Sequence, residues 1–93
     1  MAAHVFQKTV FFSGHVQGVG FRYMTLQIAK EFDVSGWVKN LNDGRVELFA
    51  EGESSDVEAF TAEVADRLSS YIRKSEINED EGPASCRGFT IAH

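Results

Sequence analysis

Cysteine, proline and positive charge are scarce in this 93-residue chain, and each scarcity removes a class of protein. A single cysteine, Cys86, cannot close an internal disulfide, so nothing implies an oxidising compartment. Its neighbours Ser85 and Arg87 supply no base for a nucleophile, and it reads as an ordinary thiol. The one proline, Pro83, stands in Glu81-Gly82-Pro83 and reads as part of a loop near the end. Nine Lys and Arg against fourteen Asp and Glu leave a formal net charge of −5, which opposes salt-driven binding to a nucleic acid backbone. No apolar run approaches the ~18 residues of a membrane span. Met1 to Lys8 lacks the basic and then apolar order of a signal peptide. His4, His15 and His93 are scattered without ligand spacing, so no metal and no cofactor is expected. The expectation is a cytoplasmic monomer that engages neither nucleic acid nor membrane.

Large rings, by contrast, are plentiful: eight Phe suggest a core filled by aromatic side chains. The length suits one hydrophobic core, and no linker, repeat or low-complexity stretch divides residues 1–93, which read as a self-contained domain. Val5 to Ser13 read as a strand, with Val10 and Phe12 on one face and Thr9 and Phe11 on the other. From Phe21 to Phe32 the period becomes helical, with a stripe of Phe21, Thr25, Ile28 and Phe32. Trp37 to Asn40 form a short strand, and Asp43-Gly44 signals a hairpin with a tight primed turn. In the next strand Val46, Leu48 and Ala50 alternate with Arg45, Glu47, Phe49 and Glu51. Ser55 and Glu58 fit a capping box for a helix that buries Val57, Phe60, Val64 and Leu68. A polar strand from Ile72 to Asn78, an acidic loop Glu79-Asp80-Glu81 and a last strand from Gly88 to Ala92 follow. The order β-α-β-β-α-β predicts an α+β, two-layer sandwich of the split-βαβ type. Its antiparallel sheet of four to five strands carries two helices on one face. Many functions share that fold, so it identifies none.

Gly14-His15-Val16-Gln17-Gly18-Val19-Gly20 connects the first strand to the first helix. The first amides of a helix lack partners and the helix dipole adds positive charge there, which together attract an anion. Glycines at 14, 18 and 20 allow successive N–H groups to converge into a nest. Arg22, in the first helical turn, adds a planar guanidinium that can hold two oxygens. No Gly-Lys-Ser/Thr follows, and Val16 stands where a thiolate phosphatase needs Cys, so neither a nucleotide P-loop nor that phosphatase class fits. Taken alone, the segment reads equally as a glycine-rich connection beside a surface Arg. Asn40 ends the second strand, where its carboxamide can hold a water and touch a phosphoryl oxygen, or can simply begin the turn.

The segments G-H-V-Q-G-V-G-F-R at 14–22 and G-W-V-K-N-L-N-D-G-R-V at 36–46, followed by Gly52, resemble the two signature segments of the acylphosphatases. Their joint occurrence at this separation is far more specific than either alone. The resemblance implies an open-faced ferredoxin-like sandwich that hydrolyses acyl phosphates without metal. The family's catalytic Arg matches Arg22 and its catalytic Asn matches Asn40. The amides of His15, Val16, Gln17, Gly18, Val19, Gly20 and Phe21, with Arg22, would hold the phosphate of a small acyl phosphate, and free phosphate would be product and inhibitor. His15 stands where the family has Arg as often, and Ser69 to Cys86 is individual to this chain.

Two other readings compete. Phe11, Phe49 and Trp37 can be drawn as an aromatic platform for stacking RNA bases, against which the acidic charge speaks. The same anion pocket can also be drawn as a non-catalytic module that binds phosphate or carbamoyl phosphate.

Overall fold

The computed structural model describes residues 4–93. Five strands form one sheet: β1 (His4–Gly14), β2 (Ser35–Asn40), β3 (Val46–Gly52), β4 (Ile72–Pro83) and β5 (Phe89–Ile91), in the spatial order β4-β1-β3-β2-β5. Helices α1 (Phe21–Ala29) and α2 (Ser54–Arg67) complete the α+β fold, and a 3-10 turn over Ser69–Tyr71 leads into β4.

The alternations in β1 and β3 decide which face is covered. Val10, Phe12, Val46, Leu48 and Ala50 are all buried, and so is Val38 of β2. Phe21, Thr25 and Ile28 of α1 and Val57, Phe60 and Val64 of α2 pack against them. Phenylalanine rings link the layers, with Phe12 meeting Phe21 at 5.3 Å and Phe60 meeting Phe89 at 5.4 Å between centroids. Burying these rings is the main favourable term in so small a core. On the uncovered face Trp37 stacks on Phe49 at 5.6 Å, Lys39 lies over Trp37, and Arg45 lies over Phe11. The platform drawn for RNA bases therefore already has ring faces occupied by the protein's own side chains.

Several expectations are corrected. The sheet is mixed: β5 runs parallel to β2, pairing Trp37 with Thr90 and Val38 with Ile91. No local pattern encodes that direction, which follows from the route of the chain after β4. Past Pro83 the chain crosses the end of β3, where the Glu51 carboxylate accepts the amides of Ser85 and Cys86. Gly36 then donates its amide to Gly88, and β5 enters alongside β2. The acidic segment Glu79-Asp80-Glu81 is strand, paired with Lys8, Gln7 and Phe6, because β1 reaches back to His4 and offers it a partner. Helix α1 stops at Ala29, where Glu31 and Phe32 donate to Ile28 and Ala29 in tightened i→i−3 bonds. Phe32 nevertheless packs on Phe60. The capping box does not form, since α2 starts at Ser54 with Glu53 as N-cap and no side-chain cap bond. The β2–β3 connection is not a primed turn either: of its residues only Gly44 has positive φ, and the loop closes by Leu41 and Arg45 with Gly44 donating to Leu41.

Candidate active site

Strands β1 and β2 both run toward the same end of the sheet, with β3 antiparallel between them, and β5 follows β2. Their C-terminal ends meet the start of α1 there, as a split βαβ unit requires. The segment from Gly14 to Gly20 lies in this angle.

Two side chains pin it. Val16 is buried at 1% exposure and plugs the segment into the core. Gln17 reaches the facing hairpin, its Nε2 donating to the carbonyls of Leu41 at 2.8 Å and Arg45 at 2.9 Å. His15 donates its amide to Tyr71 at 2.9 Å, so that N–H is committed to the backbone, and its side chain is exposed. Beyond it the pattern changes: among the described residues, no carbonyl or side chain accepts from the amides of residues 16 to 23. Gly18 and Gly20 adopt positive φ of 79° and 82°, and Gly20 caps α1 with no side-chain bond to its free amides. The first turn of α1 holds no acidic residue, so its positive end is not neutralised locally.

A depression of about 290 Å³ opens over this segment. Val16, Gly18, Gly20 and Phe21 line it together with Arg22 and Asn40. Arg22 is in none of the ion pairs of the described residues, unlike Arg45, which is held by Asp43, and Arg67, which is held by Glu31 and Glu63. The amide of Arg45, and then its guanidinium, keep the Asp43 carboxyl below its ordinary value, a contact that fastens the hairpin carrying Asn40. The Asn40 carboxamide makes no hydrogen bond among the described residues, although its backbone is paired with Val46. Of the residues singled out in the sequence, His15, Gln17 and Val19 do not line the depression, and Val19 packs partly on the core.

Three further residues line it that sequence reasoning did not select: Tyr23, Ile91 and His93. Tyr23 follows Arg22 directly, and an aromatic beside a candidate phosphate-binding Arg was a visible signal. Ile91 and His93 arrive through the parallel pairing of β5, which nothing local announces. No group of three or more His, Cys, Asp or Glu side chains converges to suit a metal ion among the described residues. No helix of the described residues is long and apolar enough to cross a membrane. The arrangement offers free amides, an uncommitted guanidinium and a carboxamide around one cavity, which suits a tetrahedral oxyanion with a water beside it.

The sequence model of the Acylphosphatase family matches residues 8–91. The acylphosphatase of Haloarcula marismortui is 45% identical over 85 residues, covering 88% of this chain and 90% of that protein. That of Archaeoglobus fulgidus is 49% identical over a shorter stretch of 55 residues, 59% of this chain and 62% of that protein. The crystal structure of acylphosphatase from Bacillus subtilis superposes with a TM-score of 0.85 at 31% identity, covering 95% of this chain and 99% of that one. The chain belongs to the acylphosphatase family.

Proposed function

We propose that this chain, acting as one domain over residues 1–93, hydrolyses the carboxyl-phosphate bond of small acyl phosphates, the activity of its family, with Arg22 and Asn40 as the catalytic residues. The observation that carries the reading is the cavity at the start of α1, which residues with unpartnered amides line together with Arg22 and Asn40. The amides from Val16 to Phe21 and the Arg22 guanidinium hold the phosphoryl oxygens and stabilise their charge as the transition state forms. Asn40 orients a water in line with the leaving oxygen. An acyl phosphate is a mixed anhydride whose carboxylate leaves readily, so no strong general acid is required. Phosphoryl transfer rewards positioning and charge stabilisation above covalent chemistry, and the phosphoryl group itself takes the proton of the attacking water. The products are a carboxylate and inorganic phosphate, and the same groups make free phosphate an inhibitor. Every group invoked lies on one chain, so a monomer suffices. The single Cys86 suits the reducing cytoplasm.

Two substitutions separate the roles. Removal of one such donor costs on the order of 10²–10³ in rate. Arg22→Ala is expected to lose that much turnover and also its inhibition by phosphate. Asn40→Ala is expected to lose similar turnover while phosphate inhibits it as in the parent chain. Hydrolysis of benzoyl phosphate followed by ultraviolet absorbance reads both, and near-normal turnover of the Asn40 variant removes Asn40 from the mechanism.

A further inference from the structure

A second depression, of about 330 Å³, adjoins the one already described. The two share one residue, Tyr23. Tyr23 is 62% exposed, one of only two large hydrophobic side chains so exposed among the described residues, and its hydroxyl has no hydrogen-bond partner there. The rest of the lining is Met24, Gln27 and Ile28 of α1, with Arg67 and Leu68 at the end of α2. A side chain that lines both depressions is placed to contact a substrate that extends from one into the other.

The charge of the second depression narrows what it takes. Its one cation, Arg67, is already committed: both guanidinium NH groups bond Glu31, at 2.7 and 2.6 Å, and its Nε bonds Glu63 at 2.7 Å. The Arg67 charge is already balanced by these two carboxylates, so the depression offers a second anionic group little net attraction. A neutral apolar body meets Tyr23 and the partly buried Met24 and withdraws them from water, over a floor of the already buried Ile28 and Leu68. The two depressions thus divide a substrate between an anionic end and an apolar end.

We infer that Tyr23, Met24 and Leu68 form an acyl-group site, and that this chain favours acyl phosphates whose acyl part is apolar and ring-sized over those whose acyl part is small. The inference rests on the reading of the first depression as the phosphate site. Tyr23 acts on specificity: it touches the acyl body, while the phosphoryl group stays with Arg22 and the loop amides.

The test compares kcat/KM for benzoyl phosphate and acetyl phosphate in the full chain, in Tyr23→Ala, in Tyr23→Phe and in Met24→Ser, with the inhibition constant of inorganic phosphate measured for each. In Tyr23→Ala the benzoyl-to-acetyl ratio is expected to fall about tenfold, mostly through KM, the size usual for a lost apolar contact in a substrate pocket. Tyr23→Phe keeps the ratio, because the ring and not the hydroxyl makes the contact, and Met24→Ser lowers it by a smaller factor. Phosphate inhibits all four alike. Equal losses on both substrates, or no change in the ratio, overturn the acyl-group site while leaving the phosphate reading intact. A parent chain that phosphate does not inhibit overturns the phosphate reading, and the acyl-group site falls with it.

Discussion

At the scale of single residues, Gln17 shows how one side chain sets the geometry of a loop without facing its cavity. Its carboxamide donates to Leu41 and Arg45, and so fixes the distance between the segment that starts α1 and the hairpin that carries Asn40. Gln17→Ala removes both bonds, and a misplacement of even about 1 Å between reacting groups is costly. We expect kcat/KM to fall roughly tenfold, with weaker inhibition by phosphate, and a stability loss of about 1–2 kcal/mol by urea unfolding. Unchanged kinetics would show that the loop holds its place without this clamp. Gln17 stood in the sequence as one of several amides. The reach of its side chain was not legible, because its acceptors lie 24 and 28 positions away and are carbonyls, which every residue has. Arg22 and Asn40 were legible as a pair through their motifs, and the fold brings them to one depression. Tyr23 was legible as an aromatic and not as a wall.

Among the elements, those with a strong period came through from sequence to structure. The stripe Val57, Phe60, Val64 and Leu68 is buried along its length, as are Val46, Leu48 and Ala50 in β3. Ends and edges did not, since they depend on partners far along the chain. The acidic residues 79–81 carry no strand propensity of their own, and pairing with β1 overrides it. The Asp-Gly pair announced a hairpin correctly, while the loop length was set by Gln17, Asp43 and Arg45 gripping it from both sides. One element interior is unusually intolerant. Gly36 of β2 has φ of 150°, and a Cβ there would lie 1.9 Å from the carbonyl oxygen of Phe49 in β3. Gly36→Ala must push the central strands apart, and we expect a loss of about 3–5 kcal/mol, at the severe end for a point substitution. Denaturant unfolding with a comparable slope and a much lower midpoint is the result that fits; a midpoint near that of the parent would show that β2 shifts without cost.

For the molecule as a whole, one carboxylate joins the two halves of the chain. Glu51 is 2% exposed, and burial pushes its carboxyl upward. The amides of Cys86 and Ser85, then Gln7 and the Ser85 hydroxyl, outweigh that, and the group sits below its ordinary value of 4.5. A carboxyl depressed in the folded state adds stability that is complete above its unfolded value and disappears as pH falls through the folded value. We expect Glu51→Gln to be less stable than the parent by about 1–3 kcal/mol at neutral pH, since hydrogen bonds to a charged acceptor become neutral ones. The gap should close as the pH drops below 4.5, because the parent's carboxyl then becomes neutral too. Unfolding curves over that range check it, and a gap that stays constant would assign the loss to packing.

The pairing of β1 with β4 has a further consequence, for the order of assembly. The two strands come from nearly opposite ends of the sequence, and a bond such as that from Gln7 to Pro83 spans 76 positions. Closing so long a loop costs entropy before any contact repays it, and domains rich in such pairings fold in milliseconds to seconds rather than microseconds. His15, at the near end of the glycine-rich segment, donates its amide to Tyr71, just before that returning strand. We expect the unpartnered amides of this segment to be among the last parts of the chain to take shape, after the β2–β3 hairpin, which hydrogen exchange during refolding would check.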